Sequence, residues 1–228
     1  MDEKNKQRYE RKFFVDNFIV NNLGDLKSFL PIEINMQYKQ RIINSIYYDT
    51  FDYKLSQENI NGLFERKKIR IRYYGLCEKL KSPRLELKKK FGLIGEKRYF
   101  KLDKNILKEN KFSLANVRIK NLNINDINLL KIIEPKVIVS YKRDYFISPC
   151  NRYRFTLDRD ILFKSFSHIN MRNNFSSEFF YRFKKTIIEF KYSLIDEDDA
   201  YKITRNLPSR LTSSSKYLLA LKHLGLIY

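Results

Sequence analysis

The amino-acid sequence predicts an α+β fold in which eight antiparallel strands close into a barrel flanked by helices. Three observations predict it. Eight segments are rich in β-branched and aromatic residues and alternate with period two. Few long helical patterns separate them, and the connections suit antiparallel pairing. Charge falls on one face of segment after segment, and closing the sheet removes the edges it would otherwise expose.

The strands are expected at 8–15, 41–50, 64–74, 84–90, 96–102, 136–147, 152–158 and 186–193. Helical patterns fall near 16–29, 124–133, 197–206 and 214–224. Asp196 is placed to cap the third of these in sequence order, and Ser213 or Ser214 the last. With six Gly, five Pro and no repeat, low-complexity tract or linker, residues 1–228 read as one domain.

Composition excludes several function classes. Cys77 and Cys150 are the only cysteines, so no disulfide framework is possible, and neither lies in a metal-binding spacing. His168 and His223 are the only histidines, which leaves little for a histidine-based zinc site or catalytic triad. No run of eighteen apolar residues exists to form a membrane helix, and the charged start MDEKNKQRYERK lacks the apolar stretch of a signal peptide. A cytoplasmic location is therefore expected. The net charge of +20 points to a polyanionic partner: nucleic acid, acidic membrane or a chain of phosphates.

The position of the charges decides among these. Side chains alternate across a strand. In FERKKIRIRYY, Arg66, Lys68, Arg70 and Arg72 share one face and Ile69, Ile71 and Tyr73 the other. Glu86, Lys88 and Lys90 oppose Leu85 and Leu87. Glu189 and Lys191 oppose Ile188, Phe190 and Tyr192, and Arg152, Arg154, Thr156 and Asp158 oppose Tyr153, Phe155 and Leu157. Near the start, Glu10 and Lys12 oppose Arg11 and Phe13.

Two geometries fit these faces. Either the apolar faces build a central core with charge outside, or they pack under helices while the charged faces line a lumen. A dry lumen of unpaired cations is prohibitive, whereas a wet one holding a polyanion is not. Phosphates suit both the arginine fork and the lysine point charge. A divalent cation bridging carboxylate and phosphate gives the interspersed carboxylates a purpose. The serine run before Lys216 offers hydroxyls and backbone N–H groups to an anion.

Nine short stretches in order resemble the VTC domain, the polyphosphate polymerase branch of the triphosphate tunnel metalloenzymes. They are YERKF (9–13), SIYYDT (45–50), KIRIRYYG (68–75), LELKKK (85–90), EKR (96–98), YKRDYF (141–146), RFTLD (154–158), IIEFK (187–191) and SKY (215–217). The resemblance covers nearly the whole chain. It implies an eight-stranded antiparallel tunnel walled by helices.

The resemblance also implies roles. Lys12, Arg70, Arg72, Lys88, Arg143 and Arg154 are expected to act on the transferred phosphate. Lys97 and Lys216 would contact phosphates, with Ser215 assisting, and Arg66, Lys68 and Lys191 extend the phosphate-binding set. Glu189 is the leading metal ligand, for manganese or magnesium, and Glu10 and Glu86 are the next candidates, each with the alternative role of orienting neighbouring lysines. Asp49 is expected to orient an arginine or cap a turn, Asp158 to pair with basic residues, and Tyr73, Tyr141 and Tyr217 to serve packing. The acidic run Asp196–Asp199 reads as a solvated helix start.

The implied activity is transfer of the γ-phosphate of ATP to a growing polyphosphate chain. The alternatives are a triphosphatase using water as acceptor, and a non-catalytic binder of polyphosphate or nucleic acid. Hydrolytic relatives usually carry a denser ExExK start, of which YERKF keeps the Glu-x-Lys half. A nucleic-acid binder should show its cations beside stacking aromatics, and here the aromatics oppose them. Ser213 stands where a eukaryotic polymerase of the family carries another lysine, so one contact is expected to be lost. The chain lacks that family's regulatory domain and membrane segments, so any coupling to export would require a membrane partner protein.

Overall fold

The computed structural model describes residues 8–76, 81–92, 94–103, 112–115, 117, 119, 122–166, 180–212 and 215–227. Cys77, His168, Ser213 and Ser214, singled out above, lie outside them. The strands are β1 (Arg8–Asp16), β2 (Asn35–Asp49), β3 (Glu65–Tyr74), β4 (Lys81–Phe91), β5 (Ile94–Lys101), β6 (Glu134–Ile147), β7 (Arg154–Ser165), β8 (Tyr181–Arg182), β9 (Lys185–Ser193) and β10 (Leu211–Thr212). The helices are α1 (Leu23–Ser28), α2 (Lys54–Ile60), α3 (Ile124–Ile132), α4 (Glu197–Thr204) and α5 (Lys216–His223), with a 3-10 turn at Leu194–Asp196.

All eight expected strands are present. The sheet nonetheless has ten strands rather than eight, in the order β10-β1-β9-β7-β6-β2-β3-β4-β5, with β8 beside β7. The two additional strands are two residues long, too short for alternation to mark them. Among the described residues the order ends at β10 and β5, so a closed eight-stranded barrel is not what this sheet displays. No described helix is long and apolar enough to cross a membrane.

The chain forms two compact units, each assembled from three segments. Unit 1 comprises Met1–Ile42, Tyr141–Leu162 and Arg182–Ser215; unit 2 comprises Ile43–Ser140, Phe163–Tyr181 and Lys216–Tyr228.

In unit 1 the core is the apolar face predicted for three strands. Phe13 and Val15 of β1, Phe155 and Leu157 of β7, and Ile188, Phe190 and Tyr192 of β9 pack with Val20, Leu26 and Ile34 and with Ala200 and Ile203 of α4. Phe155 stacks on Phe190 with ring centroids 4.4 Å apart. Each such side chain, fully buried, contributes roughly 1.5–3 kcal/mol. The helix expected over 16–29 shortens to α1 because β1 runs to Asp16 and the chain then turns, Ile19 N donating to Asp16 O. Asn22 and Asp25 close a reciprocal capping box at its start.

In unit 2, Ile46 and Tyr48 of β2, Ile69, Ile71 and Tyr73 of β3, and Leu85 and Leu87 of β4 pack with Leu55 of α2, Leu130 of α3 and Ile138 of β6. In both units, then, the apolar strand faces pack beneath helices, as the second of the two geometries weighed from sequence required of them. Helix α3 is tied down by charge as well. Its buried Asp126 accepts Lys89 Nζ at 2.9 Å and faces Arg98 Nη1 at 3.5 Å. These two basic residues thus belong to the apolar side, not to the charged face.

Helix α2 was not expected, and upstream side chains start it. Thr50 Oγ1 accepts Lys54 N at 2.9 Å, and the fully buried Asp49 accepts Leu55 N at 2.8 Å and Ser56 N at 2.9 Å. Asp49 therefore caps, as one of its two expected roles had it.

Candidate functional site

Antiparallel register places the charged residues of unit 2 in lateral rows on one face. Lys68 of β3 pairs with Lys88 of β4, and Lys88 with Lys97 of β5, so three lysines lie abreast. Arg66 pairs with Lys90 on the same face. Like charges directly opposite one another destabilise a sheet unless something of opposite sign neutralises them.

The neighbouring row runs Tyr47, Arg70, Glu86, Tyr99. Glu86 is its hub. It accepts Arg70 Nε at 2.7 Å and Arg84 Nε at 2.9 Å, and Arg72 Nε lies 3.7 Å away. Burial alone would push the Glu86 carboxyl up, but the charges of Arg70 and Arg72, the Arg70 hydrogen bond and the charge of Arg84 outweigh it and hold the group below its ordinary value. The expected neighbours of Glu86 were lysines; its observed partners are arginines, whose fork suits a shared carboxylate.

Arg70 is fixed from its other side. Its Nη1 donates to Tyr47 Oη at 2.9 Å, Tyr47 stacks on Tyr217 at 5.0 Å, and Tyr217 Oη donates to Asp49 at 2.7 Å. The buried Lys216, next in sequence to Tyr217 at the start of α5, adds its charge to this corner. Burial would raise the Tyr47 phenol, yet Arg70, Arg72 and Lys216 bring it below the ordinary tyrosine value. Tyr47 was missed from sequence, although SIYYDT gives it the same face as Ser45.

In unit 1, Glu10 of β1 pairs with Lys191 of β9 and Lys191 with Arg154 of β7; one step along, Lys12 pairs with Glu189 and Glu189 with Thr156. Glu10 bridges Lys12 Nζ at 3.1 Å and Lys191 Nζ at 3.2 Å. Buried Arg143 of β6 donates to both Asp158 oxygens, Nη2 to Oδ2 at 2.6 Å, and Nη2 also reaches Glu189 Oε2 at 2.9 Å. Burial would lower the Arg143 pKa, but Asp158 and Glu189 carry it well above the ordinary arginine value. Asp158 pairs with a basic residue, as expected. Half-buried Ser215 is the last residue of this unit.

Three expectations are corrected. Arg152 does not continue the charged face of β7, because the strand begins at Arg154 and Arg152 turns to Asp196. Asp196 makes no side-chain cap to α4, since that guanidinium occupies its carboxylate. Glu197 is not simply solvated either: it takes Arg11, whose Nε also donates to Tyr192 Oη at 2.9 Å. Tyr73, Tyr141 and Tyr217 are buried, in keeping with packing roles.

The divalent cation implied by the resemblance would draw on carboxylate oxygens of this face. Among the described residues no three of His, Cys, Asp and Glu gather to cage a metal. Glu10 and Glu189 project from neighbouring strands on one face. An all-oxygen set of one or two carboxylates fits a hard cation that draws its remaining ligands from phosphates and water.

A family model described as "VTC domain" matches residues 7–224. No curated protein sequence matches the chain. Among solved structures, a putative adenylyl cyclase from Hippeastrum, titled as having a dominant triphosphatase activity, is similar at TM-score 0.57 and 13% identity, covering 95% of this chain and 96% of that one. A putative adenylate cyclase from Bacillus halodurans gives 0.56 and 16%, over 92% and 95%. A Pyrococcus horikoshii OT3 protein gives 0.50 and 15%, over 96% and 99%. At such identities the likeness is one of fold.

Proposed function

Because this chain belongs to the VTC domain family, we propose that it transfers the γ-phosphate of ATP to a growing inorganic polyphosphate chain. The observation that carries the reading is the row Lys68, Lys88, Lys97, three like charges set abreast on the face that also bears Arg70 and Arg72. Three cations side by side on one strand face attract a chain of phosphates.

In the proposed reaction the lysine row and Arg70 and Arg72 bind and orient phosphates, and Lys12, Arg143 and Arg154 serve the same end in unit 1. Ser215 and Lys216 assist, and Arg66 and Lys191 extend the cationic set. An oxygen of orthophosphate or of the chain end attacks the γ-phosphorus, the bond to the β-phosphate bridging oxygen breaks, and ADP leaves. Phosphoryl transfer asks little covalent chemistry of a protein, and positioning with charge neutralisation supplies most of the catalysis. No side-chain nucleophile is needed, in keeping with the scarcity of cysteine and histidine.

Glu189, with Glu10, would hold the divalent cation, proposed to be manganese or magnesium, which neutralises phosphate charge when bound. Glu86, the next candidate for the cation, has three guanidiniums around it and is proposed to orient them. Action in the cytoplasm without nucleic acid is part of the same proposal.

The test incubates the protein with ATP and Mn²⁺ and measures ADP, orthophosphate and acid-stable phosphate chains. Chains with matching ADP are expected. Orthophosphate without chains would replace polymerase with triphosphatase, water taking the place of the acceptor chain. No turnover together with salt-sensitive nucleic-acid binding would discard both.

A further inference from the structure

The charged face of unit 2 holds an aromatic group that phosphate binding does not use. Tyr99 of β5 pairs across the strands with Glu86 and therefore shares the face of Arg70 and Arg72. It is 55% exposed, while its neighbour Phe100, on the opposite face, packs against the core. The Arg84 guanidinium carbon lies 5.3 Å from the Tyr99 ring centroid and 5.5 Å from that of Tyr74.

Arg84 is locked by its edges. Nε donates to Glu86 Oε1 at 2.9 Å and Nη2 to Tyr74 Oη at 2.6 Å, which fixes the guanidinium plane. Fixed planar cations and exposed tyrosine rings are the groups on which nucleobases stack.

We propose that Tyr99 and Arg84 form the stacking surface for the base of the nucleoside triphosphate, making Tyr99 a specificity-determining residue. This rests on the phosphate-transfer reading of the same face. Spacing supports it. Lys97, in the lysine row, precedes Tyr99 by two residues on β5, a step of roughly 7 Å. A ribose fits in that interval, with phosphates at the lysines and the base at the ring. Tyr73, Tyr141 and Tyr217, expected from sequence to serve packing, are at most 2% exposed and cannot receive a base.

The experiment measures binding of a non-hydrolysable ATP analogue and of inorganic tripolyphosphate, each with Mg²⁺, by calorimetry. Tyr99→Ala is expected to weaken the analogue roughly tenfold, the scale of one lost base–aromatic stack, and to leave tripolyphosphate unchanged. Tyr99→Phe, which keeps the ring, is expected to bind both as the wild type does. Equal weakening of both ligands, or of neither, overturns the stacking surface while leaving the phosphate reading in place. A wild type that binds neither ligand overturns the phosphate reading and this inference together. Since Tyr99 is exposed, thermal melts of Tyr99→Ala should match the wild type, so that lost binding reports the site.

Discussion

In unit 1 a single guanidinium, Arg143, is shared by two carboxylates, whereas in unit 2 a single carboxylate, Glu86, is shared by three guanidiniums. The strand alternation that produces the two clusters is the same. Their stoichiometry is opposite. Under the proposed function, Glu189 of the first cluster would face the cation and the arginines of the second would face phosphate oxygens. Alternation thus decides which side chains share a face, and the ratio of signs on that face decides what the face can hold.

The largest expected effect tests the unit 1 cluster. Arg143→Met leaves Asp158 and Glu189 without their shared guanidinium, and breaking a buried pair in this way costs about 3–5 kcal/mol. Urea denaturation of the variant should show it. A loss below about 1 kcal/mol would show that the cluster is not the electrostatic anchor described.

The second tests unit 2. Glu86→Gln is expected to cost about 2 kcal/mol near neutral pH, the scale of hydrogen bonds to a charged group. The folded-state pKa of Glu86 is depressed, so its contribution is present above the ordinary value of 4.5 and is lost as pH falls through the folded value. Melting curves of variant and wild type should therefore converge in acid. A gap that stays unchanged down to the most acid pH at which the fold survives would detach Glu86 from the arginines energetically.

The third asks what keeps the unit 2 cations in place. Tyr217→Phe removes the hydrogen bond to Asp49 but keeps the stack on Tyr47, and should cost about 1 kcal/mol in thermal unfolding. The smallest effect on stability belongs to Lys88→Gln, which removes one cation from the row shared with Lys68 and Lys97 and should leave thermal unfolding within about 0.5 kcal/mol of the wild type while weakening tripolyphosphate binding. Unchanged binding would break the contrast between the two clusters.

The charged faces were legible in the sequence because period two is a local signal: Ile69, Ile71 and Tyr73 could only oppose Arg70 and Arg72. The partners of those charges were not legible, since pairing depends on register between distant strands. Arg143 meets Glu189 across 46 residues and Arg11 meets Glu197 across 186, and nothing within either segment specifies the other. The acidic run 196–199 misled for that reason. Helix α2 escaped notice because its start is capped from Asp49 and Thr50, and its N-cap, Tyr53, has a left-handed backbone and supplies no cap of its own. Arg84 was within reach, as the residue two before Glu86 on the same strand face.

The pairing of β1 has a consequence for biosynthesis. Its partners are β9 and β10, so residues 8–16 must await residues 185–193. At translation rates of about 5–20 residues per second, that delay is roughly 10–30 s. Throughout it Phe13 and Val15, later fully covered, remain available to other nascent chains, so ribosome-associated holdases should matter more to the yield of this protein than to its final stability.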